Sequence, residues 1–349
     1  MAYTDIDDPS AFFQTTLYTG NGSNDLSITN GGNSDLQPDF VWLKQRDSRD
    51  HFLFDSVRGV LQYVASNTTA ADDTLSDGLK SFDSDGFTID DGVGINENND
   101  THVSWNWKAG TALNNSAGAN GGSIATTGSI NTTSGFGIVK YEGSGADATI
   151  YHGLGKIPRL IITKNIDQTF HWSVYTFNSN TKILRLNGTN AEATETAFQS
   201  THPTATVQSL GNHNQNNGAT DGSSDTHISY MFCDVPGYQK IGSYTGNGNA
   251  DGNFIYLGFK PAFILLKGTA NTENWSMYDN KRLGYNVDNN VLYPNASSGE
   301  GTSDDIDLLS NGFKIRRQTG LLNDAQNYIY MACAEQPFVT STGVPATAR

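Results

Sequence analysis

Long apolar runs are missing from this 349-residue chain, and so are sustained helical periodicities. No stretch approaches the ~18 consecutive apolar residues that a membrane-spanning helix requires. Cysteine is nearly absent. Cys233 and Cys333 each stand in a strand-like run, too few for a disulfide framework, and read as buried, reduced thiols. Basic residues are scarce: 21 Lys and Arg face 36 Asp and Glu, for a net charge of −15. An acidic surface repels phosphate backbones, which argues against a nucleic-acid partner. The deficit is uneven, since residues 1–110 hold 18 acidic and 6 basic side chains. The opening Met1-Ala-Tyr-Thr-Asp-Ile-Asp-Asp8 is acidic and lacks the apolar centre of a secretory signal, so synthesis and folding in a cytoplasm are expected.

What is present is repetition. Tyr-x-Gly-x-Gly occurs as Tyr18-Thr-Gly-Asn-Gly22, Tyr141-Glu-Gly-Ser-Gly145 and Tyr244-Thr-Gly-Asn-Gly248. Each copy is followed by a second shared phrase: Pro38-Asp-Phe-Val-Trp-Leu-Lys44, Pro158-Arg-Leu-Ile-Ile-Thr-Lys164 and Pro261-Ala-Phe-Ile-Leu-Leu-Lys267. The prolines lie 120 and 103 residues apart, which is domain-sized and longer than a solenoid repeat. Further phrases keep the same order. Trp172-Ser-Val-Tyr175 matches Trp275-Ser-Met-Tyr278, and Phe82-Asp-Ser-Asp-Gly-Phe-Thr-Ile89 matches Leu308-Leu-Ser-Asn-Gly-Phe-Lys-Ile315. Asn67, Asn187 and Asn295 each close an apolar run.

Every repeat ends in a strand-like segment. In Thr101-His-Val-Ser-Trp-Asn-Trp107, Val103, Trp105 and Trp107 share one face and His102, Ser104 and Asn106 the other. Thr226-His-Ile-Ser-Tyr-Met-Phe232 and Asn327-Tyr-Ile-Tyr-Met-Ala-Cys333 repeat the pattern. With abundant glycine (37 residues), these alternations predict an all-β chain of three tandem jelly-roll-like β-sandwich modules. The predicted modules are 1–110, which is the acidic one, 136–237 and 238–338. Residues 111–135, rich in Gly, Ser, Asn and Thr, read as a flexible or loosely docked linker, and 339–349 as a fraying or docked tail.

Chemistry-bearing patterns are weak. Gly-x-Gly lacks the third glycine and the following helix of a nucleotide loop, so it reads as a turn. Asp83-Ser-Asp85-Gly86 begins like a calcium loop but lacks the third ligand before the glycine and the later glutamate, so it reads as a hairpin. A structural Ca2+ held by Asp90, Asp91 or Asp100 is compatible with the sequence, and no other cofactor is implied. His102 and His227 share a strand position that reads as solvent-facing or interfacial rather than metal-binding. No nucleophile elbow is written, and no catalytic residue is assigned. The five tryptophans sit on apolar faces and read as core. Receptor- or glycan-facing loop residues are assigned to Tyr151, His152, His213 and Tyr285.

Several phrases resemble a known family. They include Leu17-Tyr-Thr-Gly-Asn-Gly22, Leu36-Gln-Pro-Asp-Phe-Val-Trp42, Phe54-Asp-Ser-Val-Arg-Gly59, Ser81-Phe-Asp-Ser-Asp-Gly-Phe87, Trp105-Asn-Trp-Lys-Ala-Gly110, His152-Gly-Leu-Gly-Lys-Ile-Pro158 and Ala332-Cys-Ala-Glu-Gln-Pro-Phe338. Tandem modules with this wording resemble virion structural proteins of marine tailed bacteriophages, described as tail-fibre-like. The resemblance covers nearly the whole chain and carries no catalytic residues. It implies a non-enzymatic protein on the virion surface, made in the host cytoplasm. Its role would be that of a tail fibre or adhesin, or of a head fibre or capsid decoration, in assembly and host attachment. Implied partners are other virion proteins, a host glycan or receptor, and further copies of the chain as a trimer. Neither nucleic acid nor membrane insertion is expected. The alternative is a lectin-like carbohydrate-binding protein, and behind it a glycan depolymerase, which would need paired carboxylates in a groove.

Overall fold

The aromatic alternation of the three closing segments sets the architecture. In the computed structural model, which describes residues 3–220, 223–282, 286, 289–303 and 305–346, each repeat builds one large antiparallel sheet in the same strand order. A first strand (Phe13–Thr19, Phe136–Glu142, Gln239–Thr245) pairs with the last strand (Thr101–Trp107, Thr226–Cys233, Asn327–Pro337). The last strand pairs with a central strand (Phe40–Gln45, Pro158–Asn165, Phe259–Gly268), and that with a fourth (His51–Asp55, Ser173–Thr176, Ser276–Asp279). A small outer sheet of two or three strands covers each large sheet, for example Leu26–Thr29, Gly86–Ile89 and Leu79–Asp83 in module one. The chain is all-β and layered as sandwiches, as the alternation predicts; its helices are a 3-10 turn at Pro9–Ala11 and one turn of α-helix at Asn214–Asn217 among the described residues.

The central strands are apolar without alternation because both faces of each large sheet are buried. One face meets its own outer sheet. Module one buries Val41, Leu43, Phe54, Phe87 and Ile89 there, and the other modules form corresponding local cores. The opposite face of all three sheets meets a single shared core, which contains Trp105 and Trp107 from module one, Tyr230 and Phe232 from module two, and Phe263 and Met331 from module three. Trp107 sits amid all three modules, with ring centroids 6.1 Å from Phe232 and 5.6 Å from Phe263. Phe40 stacks on Tyr230 at 4.3 Å across the first seam. All five tryptophans are buried. The modules are therefore not beads on a string but three sectors around one core.

Hydrogen bonds close this ring in one direction. The registers make His51, Trp172 and Trp275 related positions, and each presents a ring nitrogen to a carbonyl of the neighbouring module. Trp172 Nε1 donates to Ala65 O (3.0 Å), Trp275 Nε1 to Arg185 O (2.9 Å), and His51 Nε2 to Tyr293 O (3.0 Å). Because His51 Nδ1 accepts from Trp42 Nε1 (2.9 Å), its Nε2 carries the proton. Burial pulls the His51 pKa well below the usual 6.5, which keeps the ring neutral. The Asn67, Asn187 and Asn295 amides accept from the backbone N–H of these same residues, each at 3.0 Å.

A second set follows the same direction. Tyr230 Oη donates to Asp55 (2.8 Å), and Trp105 Nε1 to Asp279 (3.2 Å). Asp55 and Asp279 are each paired with a buried arginine three residues on, Arg58 and Arg282. The third position is apolar on one side and uncharged on the other: Met331 occupies the place of Trp105 and Tyr230, while Thr176 and Ser179 replace Asp and Arg. The aromatic donor and the carboxylate acceptor are thus absent together.

Two expectations need correction. Residues 111–135 are not a flexible linker: Thr111–Asn115 and Thr126–Asn131 add two strands to the edge of the module-two sheet, with Leu113 and Ile130 buried. His102 and His227 do not face solvent: both are fully buried, His102 beside Ser104 and Asn106 between the two sheets of module one. The tail docks, with Ser341 N donating to the Asp7 carboxylate at 2.7 Å. Tyr230→Phe, which removes a seam hydrogen bond to a buried carboxylate, is expected to lower stability by about 1–3 kcal/mol in urea denaturation. Met331→Leu at the related position is expected to cost less than about 1.5 kcal/mol, since nothing polar depends on it.

Candidate functional site

The Tyr-x-Gly-x-Gly turns close the first strand of each module, and their geometry shows what they do. Each tyrosine stacks on the facing residue of the last strand: Tyr18 on His102 (4.8 Å), Tyr141 on His227 (5.3 Å), Tyr244 on Tyr328 (5.0 Å). Each hydroxyl donates to a loop carbonyl, those of Ile95, Asn216 and Leu322, at 2.6–2.7 Å. A fully buried asparagine that the sequence reading missed pins each turn. Asn96, Asn217 and Asn323 accept through Oδ1 from the N–H between the two glycines, at 2.8–3.0 Å, and through the backbone carbonyl from the second glycine N–H, at 2.9–3.1 Å. The first glycine is required by contact, because a Cβ at Gly246 would lie 2.1 Å from Asp324 O. The second is required by conformation: Gly248 has φ +65° in open space. Turn N–H groups that would cradle a phosphate are therefore committed to asparagine.

The shared lysines are frame elements as well. Lys44, Lys164 and Lys267 are buried, and each ammonium donates to carbonyls of the loop that follows, such as Gln45 O (2.5 Å), Asn165 O (2.7 Å) and Gly268 O (2.8 Å). Burial lowers the pKa of all three to about 8. His102, His152 and His227 are pushed down to about 4 by burial. Both cysteines are free and buried, with thiols raised to about 12 by burial.

The sequence-assigned loop residues do not converge. Tyr151 is half-buried at the end of the strand Ala148–Tyr151. His152 is buried rather than receptor-facing; Leu154 N–H donates to its Nδ1 (3.3 Å), and its Nε2 donates to Thr204 O (3.2 Å). His213 precedes the short helix and pairs with Glu195 at 3.1 Å. Tyr285 lies outside the described residues. Asp83 accepts from Ser81 and Thr88 hydroxyls and Asp85 from Leu36 N–H, as a hairpin turn would use them. Among the described residues, no group of three or more His, Cys, Asp or Glu is placed to hold a metal.

Among several surface clefts, one of about 170 Å³ lies at the seam of modules one and three. Its existence follows from comparison of the three seams. Asp39, Arg159 and Ala262 are related positions, each carbonyl accepting from the N–H that opens the turn after the fourth strand, at Ser56, Phe177 and Asn280. At the seam of modules one and two, Asp39 accepts from Ser129 Oγ (3.1 Å) on the added strand, which fills the notch. At the seam of modules two and three, the Arg159 guanidinium packs 3.7 Å from the Phe177 ring centroid, pairs with Asp234 (3.1 Å) and donates to Ile241 O (3.3 Å). Ala262 fills nothing, and the third notch stays open. Across it stands Thr15, where the related residues are Ile138 and Ile241. A separate groove of about 530 Å³ runs between exposed Tyr3 and Tyr256, beside Phe338.

One family model matches residues 8–337, spanning all three modules; its description is a domain of unknown function, DUF7483. The chain belongs to the DUF7483 family. No curated protein and no solved structure matches it. That one DUF7483 model runs through every module boundary agrees with the shared core.

In this DUF7483 chain, Gly248→Ala is expected to cost about 1–2 kcal/mol, a purely conformational penalty. Gly246→Ala should cost more, because the turn itself must open; denaturation midpoints of the two variants provide the check. Acidification is expected to destabilise the fold. Each buried histidine has a folded pKa below the unfolded value of about 6.5, so the unfolded state binds more protons between about 6.5 and about 4. The histidine contribution is full above that window and is lost as pH falls through it. The urea midpoint should be lower at pH 5 than at pH 7, and equal midpoints would contradict the assignment.

Proposed function

We propose that this chain is a non-enzymatic structural protein of a bacteriophage particle, exposed on its surface as a tail or head fibre component or a capsid decoration. The observation that carries the reading is the closed ring of three modules. One chain supplies what three subunits of an attachment trimer would supply: a body with threefold-like form and three related but unequal outer surfaces. In this reading further copies are not needed to build that form, and weak contacts add through effective concentration. The use of chemistry-bearing residues supports it too. The repeated tyrosines, glycines, lysines and histidines serve to hold loops and seams. The acidic first module faces water or a basic virion partner.

Mass spectrometry of purified particles, combined with protease shaving of intact particles, tests the reading. The protein is expected among particle components and among the shaved ones. Its absence from purified particles would overturn the proposal. A carbohydrate-binding role is the second reading, and the open seam cleft is the observation that favours it.

A further inference from the structure

We propose that the free margin of the outer sheet of module three, at Phe254–Tyr256, is a docking site for an extended segment of another protein, which joins that sheet as a further strand. The proposal goes beyond the reading above and stands on a comparison of the three modules.

Each outer sheet has a related strand at its margin: Leu26–Thr29, Ala148–Tyr151 and Phe254–Tyr256. Ile28, Ile150 and Ile255 are the buried members, so Ser27, Thr149 and Phe254 are related positions, as are Thr29, Tyr151 and Tyr256. An open, apolar margin invites pairing with another chain, and folds guard against it. Module one uses polar residues, the exposed Ser27 and Thr29. Module two covers the margin with its own residues 121–126. Ser123 N donates to Thr149 O (2.8 Å), Thr149 N to Ser123 Oγ (2.8 Å) and Thr126 Oγ1 to Tyr151 O (2.9 Å). Module three does neither. Phe254 is 46% and Tyr256 55% exposed, and no described strand pairs with their outer side.

The backbone there is a usable template. Ile315 N donates to Asn253 O and Leu257 N to Asn311 O, both at 2.9 Å. In an antiparallel ladder the residues between, Phe254 and Tyr256, then turn their N–H and C=O outward. Tyr256 O receives Lys240 Nζ (2.7 Å), in the role that Thr126 plays for Tyr151. The Phe254 N–H and C=O stay open among the described residues, and they are the pair that Thr149 gives to Ser123. The groove lined by Tyr3, Leu257, Gly258 and Phe338 begins where this margin ends, and offers an apolar seat to a side chain of the added strand. The occupant is a segment rather than a folded body. Two part-exposed aromatics offer roughly 200 Å², from about 150–250 Å² for a whole ring, against about 800 Å² per partner in a standard interface. It comes from another protein, because the described ends of this chain are engaged: Ile6 lies in the shared core, and Ser341 N is held by Asp7.

The test uses the full chain and, as probe, a synthetic peptide of residues 121–131, the sequence that covers the related margin in module two. In an amide NMR titration the Phe254, Ile255 and Tyr256 signals are expected to shift saturably, with a Kd of about 1 mM or tighter. The double variant Phe254→Ser, Tyr256→Thr writes the polar margin of module one and should weaken binding at least about tenfold. Phe254→Pro removes an N–H that the sheet's own ladder does not use, a place where proline is tolerated; it should weaken binding as much, and it decides the matter if the double variant fails to fold. No saturable shift at these residues, or equal affinity in the variants, would overturn the proposal. So would a dimer in sedimentation that the double variant abolishes, because the occupant would then be a second copy of this chain. Failure of this kind leaves the virion reading intact, whereas absence from particles would leave the docking margin standing.

Discussion

Everything else in the molecule depends on three sheets burying one face against each other. Each large sheet, of six, eight and four strands in turn, has two apolar faces, and a small outer sheet covers only one of them. The remaining face, rich in tryptophan, tyrosine and phenylalanine, must be taken out of water, and at ~25 cal/mol per Å² that burial is the largest available stabilising term. Two sheets would leave an edge open. Three close around Trp107, with the N-terminal segment completing the ring by placing Ile6 in the shared core and Phe12 5.9 Å from Tyr238 of module three.

Burial by itself is non-directional, so specificity comes from the polar seam. The His51, Trp172 and Trp275 hydrogen bonds run one way around the ring and fix which edge meets which. The Asp55 and Asp279 networks tie two seams more tightly, and the Arg46–Glu300 pair (2.5 Å) adds to the seam of modules one and three. The ring is not regular, and its irregularities are informative. Where Met331 replaces an aromatic donor, the neighbouring carboxylate is gone. Where Ala262 replaces Asp39 or Arg159, a notch opens. Differences between repeats mark places where the frame no longer constrains the residue, and those are the places where contact with another molecule can be built.

Much of this was legible in the sequence. The repeat phrases located the strands, and Asn67, Asn187 and Asn295 stood out because they keep nearly constant spacing from the shared proline. Asn96, Asn217 and Asn323 escaped because the loops that carry them differ in length before the last strand, so no fixed interval reveals them. The shared core escaped for a different reason. Alternation says that a face is buried, not against what, and strands packed in separate sandwiches alternate in the same way. A hint was available in His102, Ser104 and Asn106, a polar face without a charge, which suits an interior better than water. The added strands at 111–131 were hidden by their composition, since Gly, Ser and Thr at a sheet edge look like a linker. The seam cleft could not be read at all, because it depends on an alanine whose meaning appears only beside Asp39 and Arg159.

The central claim is that three modules form one cooperative unit, and differential scanning calorimetry tests it most directly. If the core is shared, unfolding is a single transition whose calorimetric and van't Hoff enthalpies agree. Three resolvable transitions, or a calorimetric enthalpy about three times the van't Hoff value, would mean that the modules melt independently and would contradict the account.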